Sequence, residues 1–327
     1  MKVAVLGAGA IGGWMAVKLA RAGHAVSVLA RGATLGAIRA EALQLIEGDA
    51  TVGAAVTASD APQELLGDGY PELLIIAVKA QHLREAARAA QPLVGPDTIV
   101  LTAMNGVPWW FFQRRDRPLA GTALDSVDPG GDIAACLPVA RVVGCVVHAS
   151  CSVVAPARIR LKLAQRLILG EPAGGLSARL MGLTAALTAA GLVSEASEDI
   201  QRELWYKLWG NMTMNPVSAI TGATTDRILD DPLTREFCSA VMREAQAVGE
   251  RIGTHITQTL EARHEITRQL GAMKTSMLQD AEAGRSLELD ALVGAVVEIG
   301  GRVGVPTPHT NALFGLARLS ARVRGLY

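Results

Sequence analysis

The stretch Lys2-Val3-Ala4-Val5-Leu6-Gly7-Ala8-Gly9-Ala10-Ile11-Gly12 decides the fold. Its opening is a short Val-rich apolar run, the signature of a buried strand. Gly7, Gly9 and Gly12 follow at Gly-x-Gly-x-x-Gly spacing. Trp14, Met15, Val17, Lys18 and Leu19 then continue without a breaker to Gly23, a helix stop. A second strand is expected over residues 25–30. In such a strand–turn–helix unit, Gly7 permits the tight turn, Gly9 lets the backbone approach a pyrophosphate, and Gly12 lets helix and strand pack closely. The free N–H groups and dipole of the helix N-terminus favour that anion. The segment Gly7-Ala8-Gly9-Ala10-Ile11-Gly12 is therefore predicted to hold the pyrophosphate of a dinucleotide, at the start of an α/β Rossmann-type domain.

The end of the second strand selects the dinucleotide. A site for NAD places Asp or Glu there, to bond the ribose 2′-hydroxyl. This strand ends Ala30-Arg31-Gly32, with no acid. A guanidinium matches the charge and planar geometry of a 2′-phosphate, so Arg31 predicts NADPH/NADP. Two further strands are expected, over 73–78 running into Lys79, and over 98–103 running into Asn105-Gly106. Ligands of open α/β sheets bind beyond the carboxyl ends of the strands, which places Lys79 and Asn105 in reach of cofactor or substrate. Strands over 141–154 and 166–170, a helix over 176–190 and a strand near 192–194 complete a domain of residues 1–198.

Composition narrows the partners. Lys plus Arg and Asp plus Glu are both 31 in this chain of 327 residues. A nucleic-acid binder usually carries a basic excess, and the basic residues here are scattered, so no nucleic-acid partner is expected. No apolar run approaches the length of a membrane span. The apolar stretch from Val3 to Val17 is superficially like a signal peptide, but the glycines of the turn interrupt it, and a cytoplasmic protein is expected. Cys145, His148 and Cys151 have ligand-like spacing, yet in a regular strand 148 faces away from 145 and 151. No metal site is expected, and the cysteines read as reduced, buried thiols.

From about Asp199 the pattern becomes helical, giving an all-α C-terminal domain over 199–327. Lys207, Asn211 and Asn215 are spaced i, i+4, i+8 and share one helix face inside an otherwise apolar segment. A lysine and two amides in such a place need polar partners, which a ligand with carbonyl, carboxylate or hydroxyl groups would supply. Pro216 disrupts the ladder beside Asn215 and can free a carbonyl. Apolar helices such as 287–297 could line a core or a homodimer interface.

Taken together, the chain resembles the ketopantoate reductase (2-dehydropantoate 2-reductase) family over nearly its whole length. The resemblance rests on Val-Leu-Gly-Ala-Gly-Ala-Ile-Gly at residues 5–12, Arg31, Val78-Lys79, Asn105-Gly106 and Glu203-Leu204-Trp205-Tyr206-Lys207-Leu208. It also rests on Asn211, Asn215-Pro216, Ser276-Met277-Leu278-Gln279-Asp280, Glu288 and Val305-Pro306. It implies reduction of 2-dehydropantoate to pantoate with NADPH, on the path to pantothenate. It further implies Lys207 as proton donor and Asn105, Asn211, Asn215 and Ser276 as substrate contacts. Arg31 is implied as the 2′-phosphate partner and Lys79 as a cofactor contact, with Glu288 where nicotinamide, ribose and substrate meet. Asn105 could position the keto oxygen, and Ser276 could bond the substrate carboxylate. The chain departs from the pattern at Met104 and Thr225, and in the aromatic run Trp109-Trp110-Phe111-Phe112. That run could reshape a pocket mouth toward a bulkier or branched 2-keto acid, or could pack as core or as a dimer contact. A reading from another class, an NADPH-binding sensor without turnover, leaves Lys207, Asn211, Ser276 and Glu288 unexplained.

Overall fold

A computed structural model describes residues 1–327 as two units, Met1–Met104 with Gly131–Ile200 and Asn105–Gly130 with Gln201–Tyr327. One division between the units falls between Ile200 and Gln201. The segment 105–130, however, belongs with the helices and not with the sheet. Its anchors explain this: Val107 N–H donates to Ala291 O at 2.8 Å, and the Phe111 ring lies 5.8 Å from that of Trp205. Glu298 also accepts from Asp125 N–H and Ser126 N–H.

The first unit is built on a ten-stranded sheet. Its strands are β1 (Lys2–Leu6), β2 (Ala25–Leu29), β3 (Leu43–Glu47), β4 (Ala50–Ala54), β5 (Thr57–Ser59), β6 (Leu73–Ile76), β7 (Ile99–Ala103), β8 (Val142–Ala155), β9 (Arg158–Gly170) and β10 (Ser194–Ser197). The order is β4-β3-β9-β8-β7-β6-β1-β2-β5, with β10 also on β9. β1, β2, β5, β6, β7 and β8 run parallel, while β3–β4 and β8–β9 are antiparallel. The parallel strands read as unbroken apolar runs because both their faces are covered. Leu73, Leu74, Ile75 and Ile76 are each at most 1% exposed. The unit's helices are α1 (Ala10–Arg21), α2 (Gly32–Glu41), α3 (Leu83–Ala90), α4 (Asp132–Cys136) and α5 (Ala178–Ala189).

The β8–β9 hairpin is longer than its apolar stretch alone suggested. Arg158-Ile159-Arg160-Leu161-Lys162-Leu163 alternates polar and apolar, the period of a half-buried strand, and β9 starts there and not at 166. Along β8, Cys145, Val147, Ala149 and Cys151 all pack toward the core cluster, as strand alternation requires. Burial pushes the Cys151 thiol up to about 12, with the Glu47 charge adding to the shift. The thiol is therefore protonated and inert.

The second unit is helical. α6 (Ile200–Thr221) is followed by α7 (Thr225–Asp230), α8 (Pro232–Ile252), α9 (Leu260–Arg268), α10 (Ser276–Glu282), α11 (Ala295–Val303) and α12 (Pro308–Val323). α6 is its axis, and most of its length is buried. Trp205 Nε1 donates to Ala245 O at 3.2 Å and Trp209 Nε1 to Met242 O at 2.8 Å, fixing α6 to α8. Pro216 lies inside α6 without ending it. The apolar segment 287–297 is mostly buried within the unit, so it lines a core. No helix is long and apolar enough to cross a membrane.

Candidate active site

The parallel strands of the first unit end level with one another: Leu6 pairs in register with both Leu29 and Ile76. Three predicted residue groups therefore reach one sheet edge, namely the glycine turn after β1, Arg31 after β2 and Lys79 after β6. Gly7 adopts φ +98, a left-handed conformation that side chains disfavour. A Cβ at Gly12 would stand 2.0 Å from Gly7 O, so the turn and α1 touch backbone to backbone. A Cβ at Gly9 would meet nothing within 4 Å. Gly9 is also the N-cap of α1, where no side chain caps the helix and no acid occupies the first turn. Uncapped amides beside open space suit a pyrophosphate, and the residues present fit a dinucleotide.

Arg31 is exposed and caps the start of α2. Its Nη1 lies 2.6 Å from the carboxylate of Glu85 on α3. The hydrogen bond and charge of Arg31 hold the Glu85 carboxyl below its usual range. Nothing in the sequence singled out Glu85, because the pairing joins the start of α2 to α3, 54 residues along the chain. Lys79 is half-buried and begins the turn Ala80–His82.

In the second unit, Lys207 and Asn105 come together although 102 residues separate them: Lys207 Nζ donates to Asn105 Oδ1 at 2.8 Å. Each is half-buried. Asn105 sits directly after β7, and the adjoining Gly106 adopts φ +83 with its Cα hydrogens toward Ala291. Ala291 belongs to a π-turn, Asp290–Gly294, at the head of α11. Such turns are rare and frequent at functional sites. Here the turn's Ala291 carbonyl takes the Val107 N–H, which fixes the loop that presents Asn105.

Asn211 is half-buried one turn beyond Lys207, and Asn215 is buried one turn further, at 6% exposure. Ser276 opens α10 with its side chain exposed, and Glu288 is half-buried between α10 and the π-turn. Thr225 is committed internally, since its hydroxyl donates to Gly271 O at 2.8 Å and its N–H to Met273 O. Trp109, Trp110, Phe111 and Phe112 are all buried, none more than 6% exposed. The aromatic run is core, and it gives no support to a widened pocket mouth.

The chain is similar to known proteins over its whole length. The family models for ketopantoate reductase PanE/ApbA match residues 3–174, and those for its C-terminal domain match residues 199–321. A curated 2-dehydropantoate 2-reductase of Mesorhizobium japonicum is 44% identical over 328 residues, covering 100% of each chain. A solved ketopantoate-reductase-type structure from Ralstonia solanacearum is 55% identical at a TM-score of 0.96, covering 100% of this chain and 99% of that one. A ternary structure of D-mandelate dehydrogenase with NADH and anilino(oxo)acetate shares the fold at 20% identity and a TM-score of 0.86, covering 100% of each chain. This chain is a member of the ketopantoate reductase PanE/ApbA family of oxidoreductases.

Proposed function

We propose that this protein reduces 2-dehydropantoate to pantoate with NADPH, with Lys207 as proton donor. The observation that carries the reading is the 2.8 Å hydrogen bond between Lys207 Nζ and Asn105 Oδ1. It brings an ammonium and an amide together from a helix and a loop that are far apart in sequence. NADPH, when bound, supplies the hydride that goes to the keto carbon. The residues of the chain do the rest. Lys207 meets the negative charge growing on the keto oxygen and then gives that oxygen a proton. Asn105, whose Oδ1 is occupied by Lys207, keeps its Nδ2 hydrogens for the same oxygen. Asn211 and Asn215 extend the polar face for the hydroxyl group of the substrate, with Ser276 and Glu288 as further substrate and cofactor contacts. The glycine turn takes the pyrophosphate, and Lys79 contributes a second cation near the cofactor. Arg31 takes the 2′-phosphate, for which Glu85 is the resident competitor.

The D-mandelate dehydrogenase likeness extends to the fold only, and the burial of Trp109–Phe112 supports 2-dehydropantoate over a bulkier keto acid. Work as a cytoplasmic homodimer is part of the same proposal; a Staphylococcus aureus ketopantoate reductase of this fold is described as dimeric. The deciding experiment follows NADPH oxidation by the purified protein with 2-dehydropantoate, beside NADH and a panel of 2-keto acids. Fast turnover of the first pair is expected. Tight NADPH binding without turnover of any keto acid would instead mark a sensor.

A further inference from the structure

Arg263 on α9 is a half-buried cation with no acidic partner. Its Nε is shielded from solvent and makes no hydrogen bond. No carboxylate lies within salt-bridge distance of its guanidinium, and its neighbour is the face of the Tyr206 ring, 5.2 Å from the ring centroid. Burial lowers its pKa, with Tyr206 opposing the shift through its charge and a hydrogen bond. An arginine still keeps its charge in such a place. An uncompensated guanidinium is costly to bury, so its position needs a reason.

The position itself supplies one. A Cβ at Gly210 would stand 2.2 Å from Arg263 Nη2, so the guanidinium rests on the bare backbone of α6 at that glycine. Residues three and four apart are neighbours on a helix surface. Gly210 therefore lies beside Lys207 on one side and Tyr206 on the other. The absence of a side chain at 210 lets a second cation settle on the backbone of α6 one turn from Lys207. A 2-keto acid carries its carboxylate on the carbon adjacent to the keto carbon, so the two groups need two cationic or donor sites side by side.

Resting on the function proposed above, we infer that Arg263 is a substrate-binding residue. It engages the carboxylate of the keto acid alongside Ser276 while Lys207 serves the neighbouring carbonyl, and Gly210 is the specificity position that admits it. The carboxylate supplies the compensating charge that the guanidinium lacks, through charge-assisted hydrogen bonds of the kind arginine forms with planar anions. Tyr206 holds the guanidinium plane from the other side, and is itself held where its hydroxyl donates to Gln258 Oε1 at 2.6 Å.

Two substitutions separate this role from mere packing. Arg263→Met keeps the length and removes the charge. Gly210→Ala keeps the charge and moves it, because the atom displaced is the far end of a flexible side chain. Alanine also favours a helix interior over glycine, so this variant folds even if the first does not. Steady-state kinetics would compare the 2-keto acid with its neutral methyl ester at saturating NADPH. Loss of a charge-assisted hydrogen bond predicts a rise of about 10- to 100-fold in KM for the acid in both variants. The ester's kcat/KM and the NADPH dissociation constant should stay near wild type. Equal losses for acid and ester, or no change for either, would overturn the role of Arg263 while leaving the reductase reading intact. A wild-type enzyme inactive on every 2-keto acid would overturn both.

Discussion

The two units make their functional surfaces from different materials. In the first, the turn after β1 is a backbone device: Gly7, Gly9 and Gly12 contribute no side chains, and the proposed anion site would consist of amides at the start of α1. In the second, the surface along α6 is a side-chain device in which Lys207 meets Asn105 and Arg263 lies over Gly210. A backbone site is specified by where side chains are missing, and neighbours in sequence suffice to build it. A side-chain site is specified by which groups a tertiary fold brings together. Substitutions should therefore act on the first through space and strain, and on the second through charge and proton transfer.

The sharpest break in that contrast comes from Lys207→Ala. It should lower turnover by about 10²- to 10⁴-fold, the worth of a positioned general acid, while the melting temperature and NADPH affinity stay put. Undiminished turnover would remove Lys207 from the chemistry.

A control within the sheet unit alters stability alone. The Glu171 carboxylate accepts from Ser177 Oγ at 2.5 Å and from Arg179 Nε and Nη2 at 2.9 and 2.6 Å, tying the start of α5 to the end of β9. Burial pushes its pKa up, but the hydrogen bonds of Arg179 and Ser177 and the Arg179 charge outweigh burial and leave it lowered. The folded value thus lies below the unfolded one. The stabilisation is complete above the unfolded carboxylate value of about 4.3 and is lost as pH falls through the folded value. Glu171→Ala should cost about 2–3 kcal/mol at neutral pH, below the range for a fully enclosed pair because Arg179 is 35% exposed. Thermal melts from pH 7 to pH 3 should show a shallower acid decline in the variant than in the parent.

Two glycine substitutions then test the backbone device. Gly12→Ala forces a methyl group against the Gly7 carbonyl and should destabilise the fold by about 1–3 kcal/mol, the usual range for overpacking. Gly9→Ala meets open space, so chemical denaturation should find it as stable as the parent. Its NADPH dissociation constant should nevertheless rise about tenfold, one lost net contact with the pyrophosphate. Equal stability and equal affinity in Gly9→Ala would mean that the pyrophosphate lies elsewhere.

The smallest effect concerns cofactor choice. Arg31→Ala should reduce the preference for NADPH over NADH by about tenfold, measured as a ratio of kcat/KM values. Glu85→Gln, which frees Arg31 from its competitor, should move the same ratio the other way. A ratio unmoved by either would assign the choice to other residues.

Much of the first unit was legible residue by residue. The strands at 2–6 and 99–103, the glycine turn and α1 follow from apolar runs and breakers that act within a few positions. The region 32–59 is less plain: Leu43-Gln44-Leu45-Ile46-Glu47 before Gly48-Asp49 carries a hairpin signal, an apolar run leading into a two-residue turn, but its alternation breaks at Leu45-Ile46. The start of β9 is similarly faint, because its apolar residues alternate with exposed polar ones and form no continuous apolar run.

The sequence alone determined the periodicities, the glycine positions and the order of chemistry-bearing residues, because these depend on interactions between near neighbours along the chain. Only the tertiary structure decided that residues 105–130 fold with the helices. It alone turned Trp109–Phe112 inward as core. It also set Asn105 against Lys207, fixed its loop on the Ala291 carbonyl, and laid Arg263 over Gly210. Each of these is a packing choice between segments far apart in sequence, settled by burial of apolar surface and by the need of buried polar groups for partners.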